Sequence, residues 1–170
     1  MELSEAINGR HCIRRFRPDE MEEEKVEGIL EAAREAPSAG NLQARDFIVV
    51  RDSKKRRELA EAALSQNSVS EAPLVIVVCA NPGKSAAKYG SRGEELYCIQ
   101  DATAAVQNIL LAVHSLGLGA CWVGAFDENS VREVLGIPSE IRPVAIIPIG
   151  YSAEEPSAPP KNMEIHNEHW

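Results

Sequence analysis

Between Ala102 and Phe126 the chain carries no Asp, Glu, Lys or Arg, although 26% of the whole sequence is charged. A run of that length approaches what spans a bilayer. Gln107, Asn108, His114 and Ser115 interrupt it, and Gly117 and Gly119 cut it into a helix followed by a strand. The expectation is therefore a buried core helix, from about Glu95 to Leu116, and no membrane span. Its second half is nearly apolar all round, and a helix without a polar face has to be covered on every side. In a chain of 170 residues that requirement points to a partner subunit.

Other elements follow from pattern. Ala6 and Ile7 belong to a short first helix that Asn8-Gly9 stops, and Pro18-Asp19 opens a second helix with acids at its positive dipole end. "DFIVV" (Asp46 to Val50) reads as a strand and "KKRRELAEAAL" as an exposed helix. "PLVIVVCA" (Pro73 to Ala80) is a β-branched run expected to be buried on both faces. Residues 81–93 form a loop or short helix. "ACWVGAF" is a strand, "ENSVREVLG" a helix closed by Gly136, and "RPVAIIPIGY" a final central strand. Strands and helices alternate without a regular βαβ beat, so the fold class is α+β with a mixed sheet.

With 44% hydrophobic residues, the chain fits one compact domain over residues 1–170, ending in a Pro-rich tail at 153–170 that must lie on something to be ordered. A net charge of -8 argues against a nucleic-acid coat or a membrane-surface protein. The start lacks an apolar signal core, and Cys12, Cys79, Cys98 and Cys121 are widely spaced. Free thiols in a reducing cytoplasm are expected.

Against that acidic background, Arg10, Arg14, Arg15 and Arg17 crowd into one short stretch. Guanidinium groups so placed suit a specific anion held by paired hydrogen bonds. The alternative is a solvated turn whose charges pair with Glu20, Glu22, Glu23 and Glu24. A second stretch, Pro37-Ser38-Ala39-Gly40-Asn41-Leu42-Gln43, is uncharged and turn-forming: either a ligand-wrapping loop or a helix stop followed by a polar turn.

Arg10-His11-Cys12-Ile13-Arg14-Arg15-Phe16, the Pro-Ser-x-x-Asn-x-Gln spacing, "GLGACWVG" and Lys161 in the Pro-rich tail occur in one order. In that order they resemble the nitroreductase family of FMN-dependent oxidoreductases. The resemblance implies an intertwined homodimer, a central mixed, mainly antiparallel sheet flanked by helices, and two FMN sites at the subunit interface. By that resemblance Arg10, His11 and Cys12 meet the ribityl phosphate, completed by Lys161, and Arg14 reaches the pyrimidine side of the flavin. Pro37, Ser38, Ala39, Asn41 and Gln43 contact the flavin from the opposite subunit, and the backbone of Gly124 and Ala125 lies near the flavin N5. Trp170 pins the end of the tail to the neighbouring subunit.

The activity so implied is ping-pong transfer of a hydride from NAD(P)H through the flavin to an organic acceptor: a nitroaromatic, a quinone or an activated alkene. The chemistry belongs to the flavin, so no catalytic side chain is assigned. The chain departs from the pattern at three places. Cys12 stands where the family usually has Ser, and Gly124 where some relatives have Glu. Many relatives follow the Gln with Pro-Trp, whereas here the stretch holds Arg45 and Asp46. Two other readings stay open: a specialised flavoenzyme of the same fold (dehalogenating, flavin-fragmenting or azoline-oxidising) and a non-catalytic flavin-binding module. Three local patterns are set aside. Gly83-Lys84-Ser85 lacks the upstream glycine of a phosphate-binding loop, because Val78 stands there. Gly117-Leu118-Gly119 lacks the third glycine of a dinucleotide fingerprint. His166 and His169 have no ligand partners at metal spacing, so no metal is expected.

Overall fold

The β-branched run after Pro73 becomes the centre of the molecule. As β2 (Leu74–Ala80) it is buried at every position. It lies between β1 (Arg45–Val50) and β4 (Arg142–Gly150) in a sheet of order β1-β2-β4-β3, with the two-residue β3 (Gly119–Ala120) at one edge. The computed structural model describes residues 1–157 and 161–170. All three strand pairs are antiparallel. The parallel contribution among the described residues is an isolated bridge between Cys12 and Ala120. The expected α+β class and mainly antiparallel sheet are what the chain forms.

Side chains alternate across β2 with period two. Leu74, Ile76, Val78 and Ala80 face a core shared with α2 (Glu23–Arg34) and α6 (Cys98–Ser115). Val75, Val77 and Cys79 face a second core closed by α3 (Ser53–Ala62) and α7 (Glu128–Leu135). β4 holds two prolines although it is a central strand, and proline cannot donate to a ladder. The register shifts between Val78 and Cys79, so that Ala145 faces Val78 and Pro143 faces Cys79. That bulge sits where Pro143 has no N–H to give.

In α6, Ala102, Ala105, Val106 and Ile109 are wholly buried, and the Asn108 amide donates to Ala32 O at 2.9 Å, tying the helix to α2. Gln100, Thr103 and Gln107 are exposed and Leu111 is half-buried. One chain thus covers most of the helix and leaves one uncharged stripe open.

Elsewhere α1 (Leu3–Gly9), α4 (Asn67–Glu71) and α5 (Pro82–Arg92) complete the set. The segment from Asn81 onward is a helix: the Asn81 side chain caps it by accepting the Lys84 N–H at 3.3 Å. A π-helical turn, Gly93–Tyr97, leads into α6. α7 ends at Gly136 with φ 67, as expected.

Two expectations shift. α2 starts at Glu23, not at Pro18-Asp19, because the chain before it is bound elsewhere. The Arg17 N–H donates to Tyr151 O at 2.9 Å, and the Arg17 guanidinium pairs with Asp19 at 2.9 Å. "ACWVGAF" pairs with β4 at Ala120, its Cys121 N–H donates to Pro148 O at 3.4 Å, and a bridge joins Val123 to Ile146. The N-terminal segment crosses β3 so closely that a Cβ on Gly119 would meet Ile13 at 2.8 Å.

Candidate functional site

Residues 10–17 are laid down as an extended segment along β3 and the end of β4. The Ile13 N–H donates to Ala120 O at 3.0 Å, and the Ala153 N–H donates to Arg15 O at 2.9 Å. Phe16 bridges to Ser152. Ile13 and Phe16 turn inward against Ala72, which fixes the direction of the arginines between them. Arg14, Arg15 and Arg17 are exposed and Arg10 is half-buried. Arg17 is turned elsewhere, since its guanidinium lies 4.9 Å from the centre of the Tyr151 ring besides pairing with Asp19. The glutamate pairing of the solvated-turn alternative is not what forms. Glu22 pairs with Lys25 and Glu23 with Arg51, and Arg10 and Arg14 have no salt-bridge partner among the described residues.

Arg10, His11, Cys12 and Arg14 line one cavity of about 460 Å³ together with Lys161 from the far end of the chain. Two of its walls were not foreseen. Glu154 and Glu155 also line it, and a Glu154 carboxylate oxygen accepts the backbone N–H groups of Arg14 at 2.5 Å and Arg15 at 3.3 Å. No motif in the sequence marks Glu154, because its partners are backbone groups more than a hundred residues away. Pro159 and Pro160, which precede Lys161, lie outside the described residues. An adjoining cavity of about 250 Å³ is lined by Arg10, His11, Leu110, Val113 and His114 among others. There burial, then the charges of His11 and Arg10, lower the His114 pKa from its ordinary value.

The Ser-Asn-Gln loop belongs to another part of the fold. A 3₁₀ turn spans Ala39–Asn41, and Gly40, Asn41 and Gln43 have φ of 57°, 56° and 50°. Asn and Gln pay a conformational penalty there that Gly does not. Three side chains hold the loop in that shape. Ser38 Oγ accepts the Gln43 N–H at 2.9 Å, and Asp101 Oδ1 accepts the Ala39 N–H at 2.9 Å. The Arg45 guanidinium, only 5% exposed, donates to Pro37 O at 3.1 Å, Arg34 O at 3.0 Å and Ala36 O at 2.6 Å. Arg45 therefore braces the loop from beneath, a role not visible in the sequence. Asp101 Oδ2 is buried without a partner.

Gly124 and Ala125 form a third group. An added Cβ on Gly124 would meet Trp122 Nε1 at 3.9 Å, an ordinary van der Waals contact. Ala125 O accepts from the Gln66 amide at 3.2 Å. Within one chain, then, the fold gathers Arg10, His11, Cys12, Arg14 and Lys161. It leaves Pro37–Gln43 anchored on α6 and β1, and Gly124–Ala125 beside α7, where Gly124 lines a smaller cavity with Phe126 and Arg142. Trp170 is fully exposed and stacks on His166 at 4.7 Å, within the tail itself.

An antiparallel sheet between two helical layers, with a charged cavity where residues 10–14 meet the C-terminal segment, defines an α+β protein. The nitroreductase family profile matches residues 7–75 and 66–151. The chain is 37% identical to an NADH dehydrogenase of Thermus thermophilus over 86% of this chain and 84% of that one. Its fold superposes on an FMN-dependent nitroreductase of Clostridium difficile with a TM-score of 0.84, at 31% identity, over 99% of this chain and all of that one. It also superposes on the NADPH:FMN oxidoreductase of Vibrio harveyi complexed with NAD+, with a TM-score of 0.89 at 27% identity, over 98% of this chain and 77% of that one. The protein belongs to the nitroreductase family.

Proposed function

We propose that the protein is an FMN-dependent NAD(P)H oxidoreductase acting as a homodimer on a small organic acceptor. The observation that carries this reading is the shared cavity of Arg10, Arg14 and Lys161, three cations from opposite ends of an acidic chain. The donor set suits a phosphate: two guanidiniums and an ammonium, flanked by His11 and the weakly donating Cys12 thiol. When bound, FMN supplies the electron-carrying chemistry between NAD(P)H and a nitroaromatic, quinone or activated alkene, which take turns at one place.

The chain's own groups bind and orient. Arg10 and Lys161 would hold the phosphate, while Arg14 would offer a positive charge toward the ring that favours electron uptake. Gly124 has no side chain and Ala125 only a methyl, so their backbone beside Trp122 leaves room for a flat substrate. From the second subunit, Ser38, Asn41 and Gln43 offer polar atoms on a loop braced by Arg45 and Asp101. Dimerisation is supported by apolar side chains that one chain leaves in water: Leu3 at 69% and Ile7 at 48% exposure on α1, with Met163, Ile165 and Trp170 in the tail. Four free thiols suit a cytoplasmic location.

Anaerobic titration of the purified yellow protein with NADH and with NADPH, followed by a panel of acceptors, tests the reading. Bleaching of the flavin absorbance and its return on adding an acceptor are expected. Flavin that neither nicotinamide bleaches would make the protein a binding module and end the proposal.

A further inference from the structure

The loop that Arg45 and Asp101 brace is also met by the end of α5. A Cβ on Gly40 would lie 2.5 Å from the Tyr89 hydroxyl and 2.9 Å from Lys88 Nζ. A hydroxyl and an ammonium therefore converge on one point of the loop, and only glycine there leaves room for both. The side chains behind them are fixed. The π-helical turn folds back on α5 so closely that a Cβ on Gly93 would meet Ser85 O at 2.5 Å. That return sets the Tyr97 ring edge-on to the Tyr89 ring, with centroids 5.2 Å apart at 81°. Arg92 Nε donates to the Tyr97 hydroxyl at 3.0 Å, and its guanidinium lies 5.3 Å from the centre of that ring. Lys88 Nζ lies 5.3 Å from the centre of the Tyr89 ring. Both tyrosines are half-buried, while Lys88 and Arg92 are exposed. Lys84 pairs with Asp46 at 3.1 Å. Lys88 has no salt-bridge partner among the described residues, although Glu94 and Glu95 follow on the π-helical turn.

We propose that Lys88 and Tyr89 bind a phosphate of the nicotinamide dinucleotide, holding the co-substrate by its nucleotide half while the nicotinamide reaches the flavin. That role rests on the proposed oxidoreductase reading. The donor chemistry selects the ligand. An ammonium and a hydroxyl aimed at one spot suit the oxygens of a phosphate, whereas a nitroaromatic, a quinone or an activated alkene brings no full negative charge. Arg10 and Lys161 are already taken by the proposed FMN phosphate, in a cavity that Lys88 and Tyr89 do not line. The dinucleotide carries a pyrophosphate in both of its forms and a 2′-phosphate in NADPH alone.

Position agrees with chemistry. The co-substrate has to come to the flavin that the Ser38–Gln43 loop meets from the second subunit, and the two donors sit on that same loop. Arg92 and Tyr97 act through Tyr89. They are positioning residues that keep its ring and hydroxyl turned to Gly40, so the donors are ordered before the ligand arrives.

The test follows anaerobic reduction of the FMN-loaded protein by NADH, by NADPH and by N-benzyl-dihydronicotinamide, which gives a hydride but has no phosphate. Lys88→Ala should raise the dinucleotide concentration for half-maximal reduction on the order of tenfold, with no matching rise for the benzyl compound. A rise for NADH and NADPH alike assigns the pyrophosphate; a rise for NADPH alone assigns the 2′-phosphate. Lys88→Arg should recover most of the affinity. Tyr89→Phe, which keeps the ring on Tyr97, should give a smaller loss of the same selectivity. Unchanged dinucleotide values in Lys88→Ala would overturn the proposal. So would equal rises for all three reductants, which would make Lys88 a prop of the loop. Wild-type flavin that none of the three bleaches would end the oxidoreductase reading itself, and the two failures are thereby told apart.

Discussion

Arg10 and Arg14 have no salt-bridge partner among the described residues and share a cavity with Glu154, Glu155 and a Lys161 that is distant in sequence. Reversing one charge tests their role. Arg10→Glu should weaken FMN binding on the order of 100-fold, as expected for losing a charge-assisted bond and adding repulsion, measured by flavin fluorescence quenching. Retention of wild-type affinity would count against the phosphate assignment. Arg14→Ala should lower the reduction potential of bound flavin; an unchanged potential removes Arg14 from the ring. His114 gives a pH signature. Its folded pKa lies below the ordinary 6.5, so the unfolded chain binds more protons in the window beneath 6.5. Stability therefore falls as pH drops through that window. His114→Gln should flatten the loss, as read from denaturant midpoints across pH 5 to 7.

At the scale of elements, β2, β4, α6 and α7 were legible because burial on two faces, apolar periodicity and a Gly stop are local signals. The start of α2 was not: Pro18-Asp19 has the composition of a helix start, but the Arg17 bonds to Tyr151 and Asp19 hold that segment extended. Arg45 marks the same limit. As one residue of a strand it looks like a solvated cation, yet it is nearly wholly buried beneath the Pro37–Gln43 loop. Arg45→Met should destabilise the protein by on the order of 3 kcal/mol, because several carbonyls lose their donor in a dry place. Arg45→Lys should recover little of it, since an ammonium cannot match the planar fork. Thermal unfolding of the flavin-free protein decides, and a change under about 0.5 kcal/mol would show the brace to be dispensable.

At the scale of the molecule, the loop and the arginine cavity sit on different parts of one chain, and the proposed flavin site draws the loop from a second copy. Leu3 and Ile7 are exposed on α1, so replacing both with Lys should leave the single-chain fold intact. Light scattering should then show a shift from dimer toward monomer, accompanied by loss of flavin. A variant that stays dimeric and yellow would remove α1 from the interface.

What the linear order of residues determined by itself was the fold class, most of the element pattern and the identity of the cations. Each rests on interactions between near neighbours or on the burial preference of a run. Which cations share a cavity and which arginine is structural were decided only in three dimensions. Lys161 shares a cavity with Arg10 and Arg14, and the Glu154 carboxylate accepts the Arg14 N–H, because β3 and the end of β4 bring distant segments side by side. No local propensity encodes a contact across that separation.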